Sequence, residues 1–386
     1  MTKRIFDEDA YRREFTATVL ACKQTEGGFF VTLDATAFFP EEGGQYADTG
    51  TLGDAHVIDV QERDGVILHR TDAALAVGRT VEGRLDFAAR FDRMQNHSGE
   101  HIVSGIVFRR YGFHNVGFHL NDEDMTMDFD GVLTREQLDE IEDEANRAIF
   151  ENLPVTAYYP AEETLATLPF RAKDGLSGRV RLVQIGDVDL CACCAPHVAS
   201  TGEIGLIKLL DFIHYKGGVR IHAACGMRAL VDYRTKCREI TAVSRLLSVP
   251  QNECAEGTRR LQTELGERKM AAAAYLRALT EAEIGALAEN QAGNLVYFSA
   301  ETDANALRRA ALIGASRVQG VCAVLYGKEG DFRAMIASAH LPLKERLAYF
   351  REGLSLRGGG NDELIQGSVP MPRAEIEAFF AQPIVD

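Results

Sequence analysis

The chain has only ten prolines in 386 residues and no apolar run near the length of about 18 residues that a membrane helix needs. With 35 glycines but so little proline it is neither collagen-like nor a low-complexity mixture. The opening stretch Met1-Thr2-Lys3-Arg4-Ile5-Phe6-Asp7 lacks the apolar core of a secretory leader, which argues for a cytoplasmic protein with no membrane partner. Positive charge is in short supply as well. The net charge of −15 argues against coating nucleic acid by bulk electrostatics. That deficit is uneven: residues 301–386 hold 10 Lys/Arg against 11 Asp/Glu, so the C-terminal quarter repels a polyanion least.

What is present is an ordinary globular composition, 46% hydrophobic and 26% charged, in a chain long enough for two or three domains. Eight cysteines without a leader read as thiols rather than a disulfide framework. Five are scattered, but three crowd into Cys191-Ala192-Cys193-Cys194.

The pattern predicts an α+β protein in four parts. Residues 1–88 read as short strands with glycine turns, among them an Asp64-Gly65 hairpin signal, and suggest a small β-barrel. Residues 89–230 read as an α+β domain. Its first helix carries Met94, His97, His101 and Ile102 at helical spacing, and its second opens on the capping box Thr134-Arg135-Glu136-Gln137. Residues 231–290 read as a helical linker, in which Leu261, Leu265, Ala272, Leu276 and Leu279 form a stripe suited either to packing on its own domain or to the seam of a homodimer. Residues 291–386 form an α/β unit with a loop at Arg357-Gly358-Gly359-Gly360-Asn361.

Two residue pairs carry chemistry. His97 and His101 are separated by one helical turn, so both imidazoles can reach one metal ion. Glu100 falls on another face and reads as a solvated residue rather than a base. Cys193 and His197 form a Cys-x3-His after a strand. Together they offer three nitrogens and a sulfur, a donor set that Zn²⁺ accepts. Four protein donors would close the tetrahedron, as in structural zinc sites. The glycine loop is not followed by Gly-Lys-Ser/Thr, which excludes a P-loop, and no Asp-His-His run occurs.

The motif Met94-Gln95-Asn96-His97-Ser98-Gly99-Glu100-His101, followed by Cys193-Cys194-Ala195-Pro196-His197-Val198 and Thr201-Gly202-Glu203-Ile204-Gly205, resembles the signature of alanyl-tRNA editing domains. Thr36-Ala37-Phe38-Phe39-Pro40, Gly43-Gly44-Gln45, Asp48-Thr49-Gly50 and Lys216-Gly217-Gly218-Val219-Arg220-Ile221 resemble further motifs of that family, in its order. The last unit, with Gly358-Gly359-Gly360 and Gln366-Gly367, resembles the DHHA1 domain that ends alanyl-tRNA synthetases, though its glycine motif is shorter. The whole chain looks like a long-form AlaX protein, with no room for an aminoacylation domain.

The resemblance implies a zinc-dependent trans-editing hydrolase. Its substrate would be mischarged tRNA(Ala), chiefly Ser-tRNA(Ala) and also Gly-tRNA(Ala). One zinc per chain would be held by His97, His101, Cys193 and His197, with Cys191 and Cys194 as alternatives to Cys193. The resemblance also implies that Thr36 recognises the seryl hydroxyl, that Gly43, Gly44 and Gln45 approach the terminal adenosine, and that Gly358, Gly359 and Gly360 contact tRNA. Two other readings stay open: a non-catalytic tRNA-binding protein stapled by zinc, and a hydrolase for threonyl-type errors.

Overall fold

The computed structural model describes residues 2–121, 125–172, 179–288 and 293–384. It divides into two compact units, residues 1–239 and 240–386. The barrel and the α+β part therefore share one unit. The expected boundary at 290/291 lies outside the described residues.

In the first unit six antiparallel strands close on themselves in the order Glu14–Thr25, Gly28–Leu33, Val66–Thr71, Ala55–Arg63, Gly50–Leu52 and Thr80–Leu85. The last of these alternates exposed and buried residues at every position, which is what a strand with one face on a core requires. Val31, Leu33, Phe38, Leu52, Val60 and Ile67 fill the interior.

The helix Phe87–Tyr111 follows, started by the Asp86 side chain accepting from the Ala89 N–H. Every residue from Asn96 to Val107 is buried, so this helix has no solvent face over its central turns. It packs with the sheet Ile207–Tyr215, Gly218–Cys225, Met125–Phe129 and Asn115–Leu120, and with the helix Arg135–Phe150, around Met94, Ile102, Ile106, Met127 and Ile221. The capping box at Thr134 is formed in both directions. A third sheet, Val155–Tyr158, Leu182–Ile185 and Asp189–Ala192, leads into the cysteine cluster.

The second unit contains the five-stranded sheet Leu295–Phe298, Cys322–Lys328, Asp331–Ala337, Leu364–Val369 and Arg357–Gly360. Gly358–Gly360 is thus an edge strand, where the sequence suggests a loop. A Cβ at Gly358 or Gly360 would lie 2.0 Å from a carbonyl oxygen of the neighbouring strand, which explains the glycines by close backbone approach. In the helix Cys254–Ala288, Thr280, Ile284 and Ala288 are buried, whereas Leu261, Leu265 and Leu279 are each more than half exposed. Of the stripe, only Leu276 is half-buried; Leu261, Leu265 and Leu279 are left largely uncovered.

Candidate metal centre

The helix Phe87–Tyr111 presents His97 and His101, and the segment after the strand Asp189–Ala192 presents Cys193 and His197. One donor atom from each lies within 4.8 Å of all the others. Cys193 Sγ is 3.6 Å from His97 Nε2 and 3.4 Å from His197 Nε2. Cys191 instead groups with His101 and Asp189, and Cys194 packs against the barrel core. The segment is held by Arg181, whose guanidinium donates to the carbonyls of Cys193 and Ala195 at 3.0 and 2.9 Å.

Each imidazole is oriented through its outer nitrogen. His97 Nδ1–H donates to Gln45 Oε1 at 2.8 Å and His101 Nδ1–H to Asp189 Oδ2 at 3.0 Å, while His197 Nδ1 lies 3.0 Å from Ser98 Oγ, a hydroxyl that can donate or accept. Asp189 is gripped in turn by Arg171, Nε to Oδ1 at 2.7 Å and an Nη to Oδ2 at 2.9 Å. The two acceptors fix the tautomers of His97 and His101 and turn their Nε2 atoms to the cluster, as the outer partners of metal-bound histidines do, and Ser98 orients the third ring. The Asp189 strand comes this near because Gly105 faces it: a Cβ there would lie 2.7 Å from the Val188 carbonyl and 2.8 Å from Asp189 Cβ.

The electrostatics agree with a cation site. Burial opposes a thiolate at Cys193, yet His97, His197 and hydrogen bonds from His101 and His197 hold its pKa well below the ordinary value. Burial pushes His197 down to about 3, so it is a neutral donor. Burial also opposes charge on His101, but Cys191, Asp189 and Cys193 outweigh it and raise its pKa well above normal. The cluster attracts one positive charge, and without an ion a proton on His101 takes that place.

Other expected residues fall differently. Gln45 is wholly buried, its carbonyl engaged by His97 and its side-chain amide nitrogen without a hydrogen-bond partner among the described residues. Gly44 has φ +86°, and a Cβ there would lie 2.1 Å from the Phe118 carbonyl oxygen. Its glycine requirement is therefore met by a strand of the protein, while Gly43 lines the cavity beside the cluster. Thr36 lies inside the barrel, where its hydroxyl donates to His69 Nε2 at 2.8 Å and accepts from the Phe38 N–H at 3.1 Å. The tautomer of His69 is set by its Nδ1–H, which donates to the Val31 carbonyl at 3.1 Å.

Glu100 is not solvated. It is 5% exposed and lines the cavity of about 340 Å³ together with His97, His101, Phe118, Arg171 and Cys193. The prediction failed because the helix is buried all round and so has no polar face to offer. Ser98, Asp189, Arg171 and Glu100 escape sequence reading; their partners lie up to 99 positions away, and no spacing announces them.

Residues 10–89 match the family model described as tRNA synthetases class II (A), and residues 180–223 match the threonyl and alanyl tRNA synthetase second additional domain. The first match covers the barrel strands and the second contains Cys193 and His197. The chain is 33% identical over 401 residues to the alanine–tRNA ligase of Thermococcus kodakarensis, covering 98% of this chain and 43% of that ligase. It is 32% identical to the Pyrobaculum neutrophilum alanine–tRNA ligase, over 95% of this chain and 42% of the ligase. With the Ignicoccus hospitalis alanine–tRNA ligase the identity is 34%, over 72% of this chain and 32% of the ligase. The chain thus carries alanyl-tRNA synthetase-family domains and is related to archaeal alanine–tRNA ligases, spanning between 32% and 43% of the length of these three.

Proposed function

We propose that the chain hydrolyses the ester bond of mischarged tRNA(Ala), Ser-tRNA(Ala) above all and Gly-tRNA(Ala) as well, with a zinc ion held by His97, His101, Cys193 and His197. The observation that carries this reading is the convergence of three imidazoles and one acidified thiol, with His97, His101 and Cys193 at the wall of a cavity. Three nitrogens and one sulfur fit Zn²⁺ in type and number. When bound, the ion supplies Lewis acidity, polarising a carbonyl and lowering the pKa of a bound water to about 7.

The chain's own residues do the rest. Gln45, Asp189 and Ser98 hold the three rings, and Arg171 holds Asp189. Phe118, its ring 4.7 Å from His97, screens one side of the cluster from water. Thr36 is the proposed reader of the seryl hydroxyl. With its proton committed to His69 and one lone pair to the Phe38 N–H, it has a single lone pair to offer, which suits a hydroxyl donor and gives alanine nothing to bond. A hydrolytic sieve of this kind is needed because a synthetase pocket cannot strongly reject an analogue that adds only a hydroxyl.

Residues 291–386 are proposed to be a DHHA1-like tRNA-docking domain. There the edge strand Gly358–Gly360 would offer bare backbone to RNA, and the exposed Leu261, Leu265 and Leu279 would meet a second copy of the chain. A second reading, editing of threonyl-type errors, is favoured by one observation: the matched additional domain is common to threonyl and alanyl synthetases. The test is deacylation of Ser-, Gly- and Ala-tRNA(Ala) and of Ser-tRNA(Thr), with zinc and after chelation. The proposal expects zinc-dependent loss of the first two while the protein stays folded. Turnover confined to Ser-tRNA(Thr) supports the second reading, and a folded, zinc-loaded protein without turnover leaves the metal a staple.

A further inference from the structure

Two carboxylates line the cavity beside the cluster, Glu42 and Glu100. Glu42 has a cation, with its Oε2 3.5 Å from an Nη of Arg4. Glu100 has none. Its Oε1 accepts from the Ser104 hydroxyl at 2.5 Å and from the Asn115 amide at 2.6 Å, which fixes the carboxylate plane and occupies that oxygen. Its Oε2 makes no hydrogen bond among the described residues. It lies 3.9 Å from His101 Nε2, beyond hydrogen-bond range and beside the nitrogen that His101 turns toward the cluster.

The cavity-lining arginines have other partners among the described residues: Arg4 pairs with Glu42 and Glu62, and Arg179 lies over the Tyr159 ring. Arg171 is engaged twice by Asp189, and Arg181 by two backbone carbonyls. A carboxylate that is 5% exposed costs free energy unless something positive or hydrogen-bonding meets it. Glu100 thus lines the cavity with one oxygen held by Ser104 and Asn115 and the other open to a cation that enters with a ligand.

We propose that Glu100 anchors the α-ammonium group of the aminoacyl substrate. This assignment rests on the proposed function and deepens it. An aminoacyl ester carries its ammonium on the carbon next to the ester carbonyl, so a carboxylate at the edge of the cluster that holds the nitrogen also brings the carbonyl to the cluster. Charge pairing of this kind is directional and stronger than a neutral hydrogen bond. It would also exclude esters whose amine is blocked. Serine, glycine and alanine share the ammonium, so Glu100 would select aminoacyl esters as a class, leaving the choice among side chains to other residues.

The test uses the full chain and two non-hydrolysable probes, 3′-deoxy-3′-(L-serylamino)adenosine and its N-acetyl derivative, with affinities measured by calorimetry. Wild-type protein should prefer the free amine. Glu100→Gln keeps an acceptor for Ser104 and Asn115 but loses the charge. It should weaken the free-amine probe by about ten- to a hundredfold, leave the N-acetyl probe unchanged, and retain zinc. Glu100→Asp, which keeps the charge on a shorter arm, should retain part of the preference. Equal wild-type affinity for the two probes overturns the assignment, as does an equal loss of both in Glu100→Gln. Unaltered probe binding with lost hydrolysis of both seryl- and N-acetylseryl-tRNA also overturns it, in favour of a proton-transfer role. If wild-type protein hydrolyses Ser-tRNA(Ala) while Glu100→Gln matches it throughout, this assignment fails and the functional reading stands. If wild-type protein binds neither probe and hydrolyses nothing, both fail.

Discussion

At the scale of single residues, the cluster depends on side chains that never touch its centre. Asp189 accepts from His101 and is itself locked by Arg171, so Asp189→Asn should keep the fold but weaken zinc affinity by about 10- to 100-fold, measurable by competition with a chromophoric chelator. Unchanged affinity would mean that the His101 ring is set by packing alone. His69 gives a pH signature. Burial, only partly offset by the bond to Val31, lowers its pKa to about 4. The unfolded chain then takes up this proton first, near the ordinary pKa of about 6.5. The stability from keeping the ring neutral is thus complete above about pH 6.5 and is lost as pH falls toward 4, by up to about 3 kcal/mol. Melting temperature followed over that window should fall for the wild-type chain and fall less steeply for His69→Gln. Thr36→Val should cost about 1–3 kcal/mol in addition to any effect on serine, because it leaves His69 Nε2 without its donor. Thr36→Ser, which keeps the hydroxyl, should not.

At the scale of elements, the barrel loop and the long helix are joined by a buried ion pair. Arg90, wholly inaccessible, donates to Asp48 through Nε at 2.9 and 3.0 Å and to the Ala10 and Ala37 carbonyls at 2.9 and 2.7 Å. Asp48 also accepts the Phe39 N–H at 2.6 Å. This lock fixes the loop that delivers Gln45 to His97. Arg90→Met leaves the buried Asp48 with only Arg93, 3.9 Å away, and should cost about 3–5 kcal/mol in chemical denaturation; a loss below about 1 kcal/mol would show that Arg93 or water takes over the carboxylate. The four donors were legible because His-x3-His and Cys-x3-His are local spacings, and so was the Thr134 capping box. The ring-orienting shell was not, since Gln45, Ser98 and Asp189 meet their histidines only through the tertiary fold. Glu100 was misread for a different reason. Helical periodicity assigns a polar face only where one side of a helix meets water, and residues 96–107 have no such side. Gly358–Gly360 misled in the opposite sense: glycine there marks close strand approach rather than a turn.

At the scale of the molecule, the cluster, its outer partners and the cavity all belong to residues 1–239, while residues 240–386 form a separate unit with its own cores. Residues 1–239 alone should hydrolyse short aminoacyl-RNA mimics like the full chain, but lose efficiency on whole tRNA at matched salt. Equal efficiency on whole tRNA would remove the docking role proposed for the second unit. The central claim, that this cluster is a hydrolytic sieve, is tested most directly by the initial rates at which the full, zinc-loaded chain deacylates Ser-tRNA(Ala) and Ala-tRNA(Ala) side by side. The seryl ester should be lost rapidly, the alanyl ester should survive, and the seryl rate should be abolished in Cys193→Ala. Equal rates on the two esters, or a Cys193→Ala protein as fast as wild type, would contradict that claim.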